Sequence, residues 1–303
     1  MRVGFIGVGN LGAHLAASLL RAGFEVTVHD RDERAAAALL DAGASWASSP
    51  QETAERTDSV ITCLPTPAAV AAVVTGEAGI LAGLGRGGTW IDMSTNDPAE
   101  VKRLASVAAE RGVSCLEAPV TGGVHRAVAG EITVLVGGDA TVFEAHRPVI
   151  EAMGRPVLHV GPLGSASVLK VITNMLAFVH LVAAGEALML AKRGGLDLGA
   201  AFEAIKASSG SSFVFETEGQ LILNGSYDVG FTMDLACKDL LLALQLGREL
   251  RTPVDLAATV EQTFIRARER YGGAAPSTMA VKLLEDALGT DLRADGFPAR
   301  LER

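Results

Sequence analysis

Between a β-branched pentapeptide, Arg2–Ile6, and a leucine-spaced run through Leu15, Leu19 and Leu20 stands G-V-G-N-L-G, residues 7–12. The run stops at Gly23, and E-V-T-V-H-D then reads as a second strand ending at Asp30. A strand, a glycine turn, a helix and a strand with a carboxylate at its tip about 20 residues on form the arrangement that binds a dinucleotide. The glycines let the backbone approach the pyrophosphate, and the helix N-terminus meets its charge. Alone, these glycines would mark only tight turns; the flanking elements give them weight. The expected nucleotide contacts are Gly7, Gly9, Asn10, Leu11 and Gly12 in the turn, then Asp30 and Arg31. Asp30 can accept from the ribose hydroxyls and repels a 2′-phosphate, which favours NAD. Arg31 could hold that phosphate, keeping NADP possible, or simply stand in solvent at the charged start of the next helix.

The same unit then repeats. Residues 58–62 read as a strand, C-L-P-T-P-A-A-V leads into a helix from Pro67, and T-W-I-D-M-S-T-N-D-P is a strand running into another helix. In a doubly wound sheet, ligands lie beyond the carboxyl ends of the strands. Leu64 and Pro65 on one loop, with Ser94 and Thr95 on the next, are therefore expected at the nicotinamide end, Ser94 as a substrate contact. Ser, Thr, Asn and Asp ahead of a helix are also its usual caps, and Asn96 or Asp97 could be the cap here. Residues 117–123 end a strand in a proline-bounded, glycine-rich turn. At Thr121, Gly122 and Gly123 this turn can offer amides and a hydroxyl to a substrate carboxylate, or it is shaped by backbone geometry alone. Residues 132–136 and 157–160 supply further strands, with a helix over Ala140–Met153 between them.

At residues 161–195 the pattern changes to one long apolar helix, stopped by a Gly-Gly pair. After it no strand alternation appears, and helices are expected over 198–207, 213–223, 235–250, 254–271 and 279–288. The fold class is thus α/β: a Rossmann-type doubly wound domain over 1–162, then an all-helical domain over 163–303 that begins with the interdomain helix. Lys170 and Asn174 lie one turn apart on that helix, so an amine and an amide share a face and can meet one small ligand. Ser211 and Ser212 precede a helix, where serine is usually a cap. Residues 291–303 carry Gly, Pro and charges and read as a loose tail.

With 49% hydrophobic residues, 303 residues can bury two ordinary cores. A formal net charge of −9 gives no electrostatic reason to expect nucleic acid or an anionic membrane as partner; a small carboxylate metabolite suits the chain better. Cys63, Cys115 and Cys237 lie far apart, and neither they nor the six histidines show metal-ligand spacing, so no metal is expected. Buried free thiols of this kind fit a reducing cytoplasm. The uncharged stretch between Lys170 and Glu186 is shorter than the ~20 residues a bilayer requires. It reads as a buried core helix, and its small residues permit close packing in a homo-oligomer, a dimer or tetramer. No signal peptide is expected, because glycines interrupt the apolar N-terminus and no charged region precedes it.

Five stretches taken in order, G-V-G-N-L-G, D-M-S-T, E-A-P-V-T-G-G, G-S-A-S-V-L-K-V-I-T-N and the K-D-L that starts at Lys238, resemble the β-hydroxyacid dehydrogenases. That group contains 3-hydroxyisobutyrate dehydrogenase and tartronate semialdehyde reductase, and the likeness runs nearly the whole chain, to about Glu285. The resemblance implies an NAD(P)-dependent oxidoreductase that interconverts a small 3-hydroxyacid and its semialdehyde or keto form by hydride transfer. It implies that Lys170 is the catalytic lysine, Asn174 a substrate or active-site amide, Thr121, Gly122 and Gly123 the substrate-carboxylate turn, and Lys238 a residue near the nicotinamide. Three positions depart from the family's pattern: Thr121 where Ser is common, Met175 where a second Asn is frequent, and His125 with Arg126 where smaller residues are usual. They bear on the substrate more than on the reaction.

Oxidising an alcohol removes a hydride and a proton, and a positioned amine can take the proton. Lys170 would need its pKa lowered from about 10.4 by desolvation or a neighbouring cation, for which Lys238 is the candidate. Read alone, Lys170 could snorkel past apolar neighbours and Lys238 could lie on a solvated helix face. A dinucleotide-binding sensor or partner-binding module without turnover is the alternative function; Lys170 favours the enzyme.

Overall fold

The computed structural model describes residues 1–301; Glu302 and Arg303, the end of the expected second domain, lie outside the described residues. Two compact units are present, Met1–Lys170 and the chain from Val171 onward. The division falls inside the long helix rather than ahead of it, because the first turns of that helix are tied to the first unit.

In the first unit the strands are β1 (Arg2–Ile6), β2 (Glu25–His29), β3 (Ser45–Trp46), β4 (Ser59–Thr62), β5 (Thr89–Asp92), β6 (Ser114–Glu117), β7 (Val120–Thr121), β8 (Thr133–Gly138) and β9 (Val157–Gly161). They form one sheet in the order β3-β2-β1-β4-β5-β6-β8-β7, with β9 also paired to β8. From β3 to β6 every pairing is parallel, Phe5 facing Val28 on one side and Ile61 on the other. β8 runs antiparallel to β6 and β7. Successive strand residues point to opposite faces, so Phe5 joins the core around Val28 and Leu15 while Ile6 joins the core around Val60 and Trp90. With both faces covered, the central strands are almost wholly buried. The strand order reverses between β1 and β4, which opens a crevice at their carboxyl ends.

Helices over Leu198–Lys206, Phe213–Asn224, Met233–Glu249, Asp255–Tyr271 and Lys282–Leu288 build the second unit. Its core gathers Phe178, Leu181 and Leu188 of the long helix with Phe202, Phe215, Leu240 and Phe264. The helix expected over 279–288 is broken: a 3-10 turn, Ser277–Ala280, precedes the shorter helix. Residues 291–297, the described start of the expected loose tail, are packed. Leu292 is fully buried, Phe297 meets Phe202 edge-on at 5.0 Å, and Asn224 Nδ2 donates to the Phe297 carbonyl.

The long helix, Ser165–Arg193, has 29 residues and ends where Gly195 adopts φ +79. By length and composition it could cross a membrane, yet one face of it lines a protein core. The expected core helix is buried along that face, while Ile172, Leu176 and Leu190 share the opposite face and are exposed. Lys170 and Asn174 lie on the covered face, 8% and 9% exposed.

Candidate active site

The glycine turn follows β1 at the crevice. Gly7 has φ +93, and a Cβ there would overlap the Cys63 carbonyl oxygen at the end of β4; a Cβ on Gly12 would overlap the Gly7 carbonyl. The strand ends thus approach so closely that only glycine fits at these two places. Gly9 has open space where a Cβ would stand, and Asn10 beside it is exposed. Leu11 occupies the N-cap of the helix Gly12–Arg21, and no side chain caps that end. Uncapped amides with an open approach fit a pyrophosphate.

Asp30 completes this half. One carboxylate oxygen accepts from the Val8 amide at 2.9 Å and the other from the Asp32 amide at 3.1 Å. Each oxygen retains capacity for a ribose hydroxyl. Arg31 is exposed.

Beyond β4 and β5 two loops are sewn together. The Ser94 hydroxyl accepts from the Leu64 amide at 2.9 Å, and Leu64 in turn covers Gly7. Ser94 is 4% exposed and caps no helix; Asp97 does, accepting from Ala99 and Glu100. Pro65 is exposed and Thr95 half-buried. Beneath them Asp92, 1% exposed, accepts from the Thr62 hydroxyl, the Ser94 amide and Asn96 Nδ2. Burial raises the Asp92 carboxyl, and these donors oppose the rise. The sequence reading overlooked Asp92, which acts by fixing the loop that carries Ser94 and Thr95.

Thr121 ends β7 opposite Thr133, and the chain then turns through Gly122 at φ +124 and Gly123 at φ +89. A short helix not foreseen from the sequence, Val124–Ala129, follows. Its residues fold back on the turn: Arg126 Cδ would lie 3.0 Å from a Cβ on Gly122, and His125 Nδ1 3.0 Å from one on Gly123.

Glu117, which ends β6 and has no role assigned from sequence, is the anchor of the long helix. Only 1% exposed, it accepts from the Ala166 amide at 2.7 Å, from the Ser167 amide at 3.1 Å and from the Ser167 hydroxyl. A carboxylate at a helix N-terminus satisfies otherwise orphaned amides and suits the helix dipole. Burial raises its pKa, opposed by these same donors. The helix start so held carries Lys170, whose charge acts on the thiol of Cys63. Burial pushes that thiol up to about 12, with Asp92 adding to the rise and Lys170 opposing it. Lys170 therefore stands near the residue that follows β4.

In the second unit Asn174 Nδ2 donates to Asp239 Oδ2 at 2.6 Å, and Lys238 Nζ pairs with Asp239 Oδ1 at 2.6 Å. Asp239 is 1% exposed. This carboxylate, within the quoted K-D-L but given no role from sequence, orders both predicted residues; its partner lies 65 residues away.

Comparison with known proteins decides the family. Residues 2–161 match the NAD binding domain of 6-phosphogluconate dehydrogenase, and residues 164–284 match the family described as NAD-binding of NADP-dependent 3-hydroxyisobutyrate dehydrogenase. The chain is 34% identical to 2-(hydroxymethyl)glutarate dehydrogenase of Eubacterium barkeri, over 96% of this chain and 97% of that one. It is 35% identical to 3-hydroxyisobutyrate dehydrogenase of Pseudomonas aeruginosa, over 86% and 90%. This chain belongs to the NAD(P)-dependent 3-hydroxyacid dehydrogenases. The solved 3-hydroxyisobutyrate dehydrogenase of Salmonella typhimurium superposes with a TM-score of 0.86 at 31% identity, covering 93% of this chain and 99% of that one. The α/β-then-helical architecture is that of these dehydrogenases, and membership in a family of enzymes displaces the alternative of a sensor without turnover.

Proposed function

We propose that this dehydrogenase oxidises the alcohol of a small 3-hydroxyacid to the semialdehyde or keto acid, and catalyses the reverse reduction, with Lys170 as general acid/base. In oxidation the O–H and C–H bonds of the alcohol break and a carbonyl forms, the proton passing to Lys170 Nζ. Bound NAD supplies the hydride acceptor, and its reduced form the donor in reverse. When the carbonyl is reduced, the lysine ammonium polarises it and returns the proton. The turn at Thr121, Gly122 and Gly123 holds the substrate carboxylate, Asn174 orients the reacting hydroxyl, and the Asp239-held Lys238 stands by the nicotinamide, with Ser94 and Thr95 on the loop beside it.

The observation supporting this reading is the lysine itself. It is 8% exposed, and its charge is felt at Cys63, whose carbonyl closes over Gly7 of the nucleotide turn. Both relatives named above act on acids that carry a hydroxymethyl group beside the carboxylate-bearing carbon, which supports a primary alcohol here. The ribose contact at Asp30 favours NAD over NADP. The exposed row Ile172, Leu176 and Leu190 supports a dimer or tetramer. The reaction needs neither nucleic acid nor membrane, and the three free thiols fit a reducing cytoplasm.

Lys170→Ala tests it. With 3-hydroxyisobutyrate as substrate, kcat should fall about a hundred- to ten-thousand-fold while NAD affinity, read by nucleotide fluorescence, stays near that of the parent. Turnover at the parent rate would remove Lys170 from the chemistry.

A further inference from the structure

Arg126 and His125 are absorbed by nothing above, yet both lie against the turn assigned to the substrate carboxylate. Gly122 and Gly123 adopt positive φ, and their missing side chains leave room that these two residues fill. The stem of Arg126 runs along Gly122, closest at Cδ, 3.0 Å from where a Cβ would stand, with its own Cβ and Cγ at 3.9 Å. Approach is nearest at Cδ, and the guanidinium lies at the end of that stem. The imidazole of His125 covers Gly123 in the same way. Burial first, and Arg126 second, lower the His125 pKa, so His125 is neutral at pH 7 and Arg126 supplies the positive charge of the pair. A guanidinium matches a carboxylate with two parallel hydrogen bonds, and unlike an amine it stays charged at all working pH values.

We propose that Arg126 receives a second carboxylate, so that the preferred substrates are dicarboxylic 3-hydroxyacids. The turn amides and the Thr121 hydroxyl take the acid group next to the reacting alcohol; the guanidinium takes an acid group carried on the substituent of the central carbon. This rests on the reading that the turn at Thr121 binds the substrate carboxylate. His125, neutral and packed on Gly123, walls the pocket and sets how long that substituent can be.

The test compares 3-hydroxyisobutyrate with 2-(hydroxymethyl)succinate, which share the alcohol and the first carboxylate and differ only in a second carboxylate. The readout is the ratio of their kcat/KM values in the parent enzyme, in Arg126→Ala and in Arg126→Lys. Because both substrates meet the same preparation, partial misfolding cancels from the ratio. The parent should prefer the diacid about tenfold or more, and Arg126→Ala should cut that preference about ten- to a hundredfold, as loss of a charge-assisted pair does. Arg126→Lys should fall between, and the monoamide of the diacid should behave like the monoacid. A ratio unchanged in Arg126→Ala, or a parent preference for the monoacid, overturns the proposal while leaving the dehydrogenase reading intact. Absence of turnover with both acids would instead overturn that reading and this proposal with it.

Discussion

The two units answer their buried carboxylates with different chemistry. In the sheet unit Asp92 accepts from the Ser94 amide and Glu117 from the amides of Ala166 and Ser167, while half-buried Asp30 accepts from Val8 and Asp32. In the helical unit Asp239 is met by Lys238 Nζ and Asn174 Nδ2. Glu285 is met by the Tyr227 hydroxyl, Arg293 Nη1 and one amide, that of Leu292. Helix interiors consume their own amides, whereas loops and helix starts beyond the strand ends have amides left over. Carboxylates of the sheet unit therefore fix where the backbone goes, and so fix the loops and the helix start that frame the site. Those of the helical unit fix chiefly side chains, Glu285 holding one amide besides.

The largest expected effect breaks a backbone anchor. Glu117→Ala strips the partners from two buried amides and a hydroxyl, at a cost of about 2–4 kcal/mol, and should lower kcat as well because the helix start carrying Lys170 loses its tie. Urea unfolding and single-turnover rates read both. A loss under about 0.5 kcal/mol would show that the amides find other partners. Glu285→Ala should cost slightly less, about 2–3 kcal/mol, with no change in turnover. The sharper contrast lies in rescue. Glu285→Ala leaves the Arg293 cation behind, so a Glu285→Gln, Arg293→Met pair should recover at least half of the loss. A backbone amide cannot be mutated away, and no single partner substitution should rescue Glu117→Ala.

The same division decides what the sequence could disclose. Local features were readable: the glycine turn with Asp30, the helix Ala140–Met153 between its Asp139 cap and Gly154, and the Gly-Gly stop at 194–195. Each is specified within a few residues by φ, capping or periodicity. Features set by distant partners were not. Ser94 ties to Leu64 instead of capping, Glu117 holds amides 49 and 50 residues on, and the segment 291–297 is clamped by Asn224, 73 residues back from Phe297. Nothing in the composition of that segment distinguishes it from a loose tail. The same limit applies to Arg126, whose position was visible as a departure but whose contact with Gly122 required the fold of the turn.

Glu218 gives the smallest and most direct test of the comparison. It sits on the helix Phe213–Asn224, half-buried, and among the described residues it has neither a hydrogen-bond nor an ion-pair partner. No spare amide reaches it on a helix, and no cation was supplied; burial alone raises its pKa to about 8. The raised value means that between about pH 4.5 and 8 the folded chain holds a proton the unfolded chain has released. Its contribution is then fully present below the unfolded pKa and is lost as pH rises through the folded one. Glu218→Gln keeps the neutral form at every pH. It should match the parent near pH 4.5 and exceed it by about 2 kcal/mol at pH 8.5, a figure discounted for the partial exposure of the side chain. Urea melts at the two pH values measure the difference, and a gap that does not widen with pH would mean that Glu218 is solvated or paired after all, removing an uncompensated carboxylate on which the contrast between the units leans.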